Sequence, residues 1–253
     1  METQVKKLVW YLILPLALLT VIVCLALPWA RPDFLLHINF YDVGQGSSVL
    51  VQTYLGRQVL INGGGTDTVL SDLGQDLPFY DHSLDLVIVT NPDASHLLGL
   101  IDVLKRYKIE KILLPSLAGN SAAYTEFMNL IASQRIEKIY AYEGQRIWLD
   151  EGTVFDVLWP PVSAGSQDAS GTIVGRLIFG KNKILLAGNA DAKAEQQLTA
   201  QFDLHADVLQ IEAVDLTSGV VSTFVQAVNA KYVVNGQTGP LRFVSDGTTL
   251  DKK

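Results

Sequence analysis

From Leu8 to Ala30 the chain runs for 23 residues, LVWYLILPLALLTVIVCLALPWA, without a charged side chain. A helix rises about 1.5 Å per residue, so a run of this length crosses the ~30 Å hydrocarbon core of a bilayer. The alternative is a cleaved export signal, whose apolar region is shorter, ~7–15 residues, and ends in small residues spaced Ala-x-Ala. Leu25–Ala30 offers no such pair, so an uncleaved anchor over residues 8–30, embedded in the lipid bilayer, is the expectation. Lys6 and Lys7 precede the run and only Arg31 follows closely. The positive-inside tendency then places the N-terminus in the cytoplasm and the rest of the chain outside it. Trp10, Tyr11 and Trp29 suit the two interfaces, while Pro15 and Pro28 fall in the first half and at the end of the span, where they are tolerated. Cys24 lacks the small residues expected before a lipid-modified cysteine and reads as an apolar filler.

Arg31-Pro32-Asp33 ends the run, dividing the chain into a tail with an anchor, residues 1–32, and a body, residues 33–253. The body is long enough for a sizeable core. Hydrophobic residues make up 49% of the chain, charged residues 18%, and no low-complexity tract interrupts it, so the body is expected to be packed throughout. The single cysteine lies inside the apolar run, which excludes a disulfide framework and any multi-cysteine zinc or iron–sulfur site. The net charge of −7 divides into +2 over residues 1–32 and −9 over residues 33–253. A body this acidic is poorly suited to neutralising phosphates, and nucleic acid is not expected as its partner.

Short apolar runs bounded by turn residues predict strands at Leu36–Val43, Ser47–Thr53, Gln58–Asn62, Leu84–Thr90, Lys111–Pro115, Lys138–Tyr142, Thr153–Trp159, Ile173–Phe179, Lys183–Ala187, Asp207–Ile211 and Tyr232–Asn235. Apolar residues at three- and four-residue spacing predict helices at His96–Tyr107, Ala122–Arg135 and Ala190–Gln201, with a shorter one at Val221–Val228. Strand clusters at both ends with interleaved helices point to a mixed α/β sandwich.

Six local sequences then occur in a telling order: Phe40-Tyr-Asp-Val-Gly-Gln-Gly46 running into Ser47–Gln52, Val59-Leu-Ile-Asn-Gly-Gly-Gly65, Leu84–Leu100, Gly171–Leu177, Lys183–Asp191 and Asp207–Ile211. In this order the chain resembles the metallo-β-lactamase fold and, within it, the hydrolase domain of the ComEC DNA-uptake family. The resemblance implies an αββα sandwich with a two-metal hydrolytic centre at one end of the sheets.

At nearly every ligand position, however, this sequence departs from that pattern. The family's Thr-His-Pro-Asp-Ala-Asp-His is expected where this chain reads Thr90-Asn91-Pro92-Asp93-Ala94-Ser95-His96. Its Thr-Gly-Asp falls on Ala187-Gly188-Asn189, and its Gly-His-His-Gly on Glu212-Ala213-Val214-Asp215. Ser47 and Asn62 stand where relatives carry Asp. The degenerate positions Asn62, Asn91, Ser95, Asn189, Ala213 and Val214 thus offer amide, hydroxyl and alkyl groups in place of imidazole and carboxylate. Asp93, His96 and Asp215 remain as residual donors. A catalytic zinc keeps about three protein ligands besides its water, so no metal cofactor is expected. His96 and Asp191 read as helix-start residues, Asp72/Asp76 and Asp102/Lys105 as solvated faces or caps, and His37, His82 and His205 as ordinary histidines.

No Gly-x-Ser-x-Gly elbow, Walker loop or His-Glu-x-x-His offers another active site. The expectation is a membrane-tethered envelope protein that has lost its metal centre and binds a protein, glycan or small ligand in the former cleft. Two alternatives stay open. One is a phosphodiesterase or nuclease linked to DNA uptake, using zinc or another divalent ion at a mononuclear site around Asp93, His96 and Asp215. The other is a non-catalytic DNA receptor.

Overall fold

A computed structural model of the chain describes residues 11, 13–21, 32–161, 171–212, 222–235 and 239–253. It divides into two units, Met1–Asp33 and Phe34–Lys253. In the first, residues 13–21 are helical and their side chains are exposed. No helix among the described residues is long and apolar enough to cross a membrane. Trp10, Cys24, Pro28 and Trp29 lie outside the described residues, as do Ala213, Val214, Asp215 and Val221.

The second unit begins with β1 (Leu36–Tyr41), β2 (Ser48–Gln52), β3 (Gln58–Ile61), α1 (Thr68–Asp76), β4 (Ser83–Ile88), α2 (Ala94–Arg106), β5 (Lys108–Leu114), α3 (Ala122–Gln134) and β6 (Glu137–Tyr140). It continues through β7 (Arg146–Trp148), β8 (Thr153–Trp159), β9 (Val174–Phe179), β10 (Asn182–Gly188), α4 (Ala192–Gln201), β11 (Val208–Ile211), α5 (Thr223–Val228) and β12 (Tyr232–Val234). The chain then returns as β13 (Leu241–Ser245) and β14 (Leu250–Lys252). One sheet has the order β14-β13-β1-β2-β3-β4-β5-β6 and the other β12-β11-β10-β9-β8-β7.

Period-two alternation sorts the layers. Val49 and Val51, Val59 and Ile61, and Ile184 and Leu186 meet in the core between the sheets. Leu50 and Leu60 face the opposite way, onto Leu97, Leu100, Ile101 and Leu104 of α2, whose spacing makes one helical stripe. Leu185 and Ala187 turn outward onto Ala194 and Leu198 of α4 and Phe224 of α5. Strands with both faces covered in this way read as continuous apolar runs, which is why their positions were legible.

Strand direction gathers the loops. β3 to β6 run parallel, as do β10 to β12, and β1 is antiparallel to β2, which is antiparallel to β3. The C-terminal ends of β1, β3, β4, β10 and β11 therefore share one end of the sandwich. The β2–β3 turn, the α1–β4 loop and the β9–β10 turn occupy the other.

Three differences from the sequence expectations have physical causes. An apolar stripe, Val69, Leu73 and Leu77, runs along helix α1 and its C-cap, but the helix is only nine residues long with Gly74 inside it, and the three- and five-residue strands β7, β13 and β14 are too short to declare a period. Asp76 is not a solvated acid: its side chain is 4% exposed and meets Arg242 Nη2 at 2.8 Å. It also accepts hydrogen bonds from Asn39 Nδ2 and Tyr41 Oη, each at 2.9 Å, and so pins the end of α1 to β1 and β13. Asp102 and Lys105 do form an exposed pair at 3.8 Å.

Candidate functional site

The cleft is built at the end where β1, β3, β4, β10 and β11 finish. After β1 the chain turns through Gly44 and Gly46, both at positive φ, and a Cβ at Gly46 would collide with the Ser95 carbonyl. After β3, Asn62 takes the left-handed conformation at φ 58°, which asparagine tolerates better than most residues. Its amide spans two strands: Oδ1 accepts from Thr90 N at 2.8 Å, while Nδ2 donates to Thr90 Oγ1 at 2.7 Å and to Ser47 Oγ at 3.2 Å.

Helix α2 is seated against this turn by backbone approach. Gly63 N donates to His96 O at 2.9 Å and Gly99 N to Gly64 O at 3.1 Å, and a Cβ on Gly99 would strike the Gly63 carbonyl. That seat carries His96 into the interior, 1% exposed. Its Nε2 lies 3.5 Å from Glu212 Oε2, and Glu212 Oε1 accepts from Ser47 Oγ at 2.7 Å. Glu212 follows β11 directly and is held by its own N–H on Gly188 O at 2.8 Å. A continuous polar line thus runs from His96 through Glu212, Ser47 and Asn62 to Thr90.

Burial dominates the ionisation of His96, holding its pKa below the ordinary value, and the carboxylates of Glu212 and then Asp93 oppose it. A neutral ring with its proton on Nε2 directs that proton at Glu212 and leaves a lone pair on Nδ1. Nδ1 has no hydrogen-bond partner within the protein.

The other positions are placed as follows. Asn91 is 7% exposed; its Oδ1 accepts from Asp93 N at 2.9 Å and its Nδ2 reaches Thr172 Oγ1 at 3.4 Å. Thr172 in turn donates to Asn189 O at 3.4 Å, bringing the end of β10 to the same cleft, with the Asn189 side chain exposed. Asp93 occupies the N-cap position of α2 without a side-chain cap bond and is exposed, and Ser95 is half-buried. Asp191 caps α4 by accepting from Ala194 N at 2.8 Å. His82 packs on Tyr107 at 5.4 Å, away from the cleft, while His37 lies in β1 and His205 in the loop before β11. Beside Ser47, a cavity of about 20 Å³ is lined by Asp42, Gln210 and Asn235 among others.

The structure therefore brings Asn62, Asn91, Ser95, His96 and the Asn189 backbone to one end, and adds Glu212, which the sequence reading passed over. Its signal was present: Glu212 opens the segment matched to Gly-His-His-Gly and is an acid placed directly after a fully buried strand. Among the described residues, no group of three or more His, Cys, Asp or Glu side chains could hold a metal ion. The donors present do not fit a two-metal centre. Both buried amides, Asn62 and Asn91, are committed to hydrogen bonds within the protein, and an amide oxygen is a weaker zinc ligand than the carboxylate or imidazole it replaces.

The fold is that of the metallo-β-lactamases. The metallo-β-lactamase fold protein YhfI from Bacillus subtilis superposes with a TM-score of 0.50 at 16% identity, covering 78% of this chain and 85% of that one. The CmlA β-hydroxylase of Streptomyces venezuelae, in a variant form, superposes with a TM-score of 0.52 at 11% identity, covering 79% and 45%. In sequence the chain is similar to Recombination protein 2 of Haemophilus influenzae, 27% identical over 180 residues, and to Competence protein ComA of Neisseria gonorrhoeae, 26% identical over 218 residues. These matches cover 69% and 82% of this chain but 21% and 28% of the relatives, so the chain spans less than a third of either. No protein-family model matches the chain.

Proposed function

We propose that this protein is a membrane-anchored, ComEC-like metallo-β-lactamase-fold protein of the cell envelope that acts by binding rather than by catalysis. The observation that carries the reading is the Asn62–Ser47–Glu212–His96 line. Where a metal centre needs converging free donors, the Asn62 amide, the Ser47 hydroxyl and the Glu212 carboxylate of this cleft are engaged with one another and with His96 Nε2. A cleft rimmed by amides, hydroxyls and carboxylates is suited to a hydroxyl- or amide-bearing ligand, such as a glycan, a peptide or a small polar molecule, and its acidity disfavours nucleic acid. Support for the anchor comes from the run of residues 8–30 and from the described part of its helix, where Ile13, Leu14, Leu16, Leu18, Leu19 and Val21 are each at least 50% exposed. A helix apolar all round belongs in lipid or in a large core. With the basic pair before the span, the body lies on the extracytoplasmic side.

A second reading rests on one specific observation. His96 places one nitrogen toward a carboxylate and leaves the other unpartnered, as metal-binding histidines do. On that reading one divalent ion takes His96, Asp93 and Asp215, and the protein is a hydrolase related to DNA uptake. Metal analysis by mass spectrometry of the purified full chain, before and after zinc or manganese is added and excess removed, separates the two. Binding without catalysis requires substoichiometric metal in both states, and one tightly held ion per chain defeats it.

A further inference from the structure

The end of the sandwich opposite the cleft exposes a group of large apolar side chains. Phe34 is 64% exposed, Leu55 40%, Phe79 89% and Tyr80 53%. Phe34 lies two residues before β1, Leu55 in the β2–β3 turn, and Phe79 and Tyr80 in the α1–β4 loop, all at the same end of one sheet. With the strand order β1-β2-β3-β4 and about 4.8 Å between neighbours, their anchor points fall within ~15 Å of one another. Trp148, 63% exposed, closes β7 at the corresponding end of the second sheet. The two sheets are fixed together there by the Tyr54–Phe179 stack at 5.3 Å and by Lys181 N on Gly247 O at 2.7 Å.

Leaving a phenylalanine in water forgoes roughly 2 kcal/mol of burial, and a cluster of such residues marks a surface that meets something apolar. The chain itself identifies what that is. Only four Cα steps, at most ~14 Å, separate Ala30, where the apolar run ends, from Phe34. The headgroup layer is ~5–8 Å deep on each side of the hydrocarbon. If residues 8–30 span a bilayer, this short tether keeps the start of β1 within about 14 Å of the hydrocarbon, so the end of the sheet that shares it is the end within reach of lipid. Aromatic side chains favour the headgroup layer. Asp33, Asp81, Asp150, Glu151 and Asp246 stand at this end beside Lys108, Lys181 and Arg57, the last paired with Asp85, so attraction to anionic lipid contributes little and the contact is apolar.

We propose that this end of the sandwich rests in the headgroup layer of the membrane, with Phe79 and Tyr80 inserted as an aromatic anchor and the cleft directed away from the bilayer. The proposal rests on the anchor reading of residues 8–30. It is tested on the full chain carrying Cys24→Ser and reconstituted into phosphatidylcholine nanodiscs. Single cysteines at Phe79→Cys, Leu55→Cys, Leu117→Cys or Thr20→Cys carry an environment-sensitive fluorophore, and nitroxide lipids serve as quencher. Leu55→Cys leaves both aromatics in place, and Leu117, at the cleft end, serves as the aqueous reference. The expected result is a blue shift and several-fold stronger lipid quenching at residues 79 and 55 than at 117, unchanged in high salt. Quenching at residue 20 with residues 79 and 55 as aqueous as 117 overturns this proposal and leaves the anchor standing. No quenching at residue 20 overturns both. Shielding of residue 79 without lipid quenching, but with self-quenching between labels, overturns it in favour of a second copy of the chain.

Discussion

His96 Nε2 faces Glu212 Oε2 across 3.5 Å, tying the first turn of α2 to the end of β11. The pair joins the two sheets at the cleft, and burial keeps the imidazole neutral against the pull of the carboxylate. At that separation the interaction is electrostatic rather than a short hydrogen bond, and its strength depends on the proton count of the ring.

That ionisation makes stability pH-dependent with a definite sign. Burial lowers the native His96 pKa, whereas an unfolded histidine takes its proton near ~6.5. Below that pH the unfolded state binds more protons, so the histidine's contribution to stability falls as pH drops from about 7 toward 5 and levels off below the native value. His96→Gln removes this component, and the parent-minus-variant difference in urea unfolding shrinks on acidification. Glu212→Gln, which removes the charge favouring protonation, steepens the acid loss. Unfolding curves of the full chain in detergent between pH 5 and 8 check both signs, and a pH-independent difference contradicts the assignment.

Asp76 anchors three partners, and its removal releases all of them. Asp76→Ala leaves Asn39 and the Tyr41 hydroxyl without their acceptor and Arg242, half exposed, to water alone, an expected cost of about 1–3 kcal/mol. Burial first and Asp76 second hold the Tyr41 hydroxyl above its ordinary pKa, so it remains a donor throughout the physiological range. Asp72 behaves differently. Burial and then the charge of Asp76 raise its pKa, so Asp72→Asn relieves repulsion and is neutral or mildly stabilising. Paired chemical denaturation of the two variants tests the contrast.

Asn62 was legible as an altered position but not as a structural residue. The sequence shows only that an amide replaces an acid, while the hydrogen bonds to Thr90 and Ser47 require the β3–β4 register. The same limit applies elsewhere. The buried runs of β2, β3, β4 and β10 declare themselves because both faces are apolar, and the glycine turns mark where they stop. β7 and β14 are three-residue strands whose pairing partners alone define them, and the role of Asp76 depends on Arg242, 166 positions away. Glu212 carries the same lesson: its place after a buried strand marks it out, but its role appears only when α2 delivers His96 beside it.

Asn62→Asp follows from that network. The carboxylate still accepts from Thr90 but cannot donate to it, and it places a second buried anion one serine away from Glu212. A loss of about 1–3 kcal/mol at pH 7 is expected. Because the buried acid has a raised pKa, the unfolded state loses its proton first, and the deficit narrows as pH falls toward 4. Stability equal to the parent at both pH values contradicts this account.

The former ligand positions can be tested by restoring their chemistry. The parent, in which no group of three or more described His, Cys, Asp or Glu side chains could hold a metal ion, is expected to melt at the same temperature with and without EDTA, since only a ligand bound to the native state shifts that equilibrium. Asn91→His, Ser95→Asp, Asn189→Asp and Ala213→His, with Asn62→Asp in support, return imidazole and carboxylate to the ends of β3, β4, β10 and β11, next to the existing Asp93 and His96. Single changes should add little, because one donor does not complete a coordination shell. The five-fold variant should bind zinc with a measurable heat, and zinc should recover the stability that Asn62→Asp costs. EDTA should then lower the melting temperature of the variant while leaving that of the parent in place. Calorimetric titration alongside circular dichroism decides it: a folded variant that takes up no zinc shows that these positions do not converge.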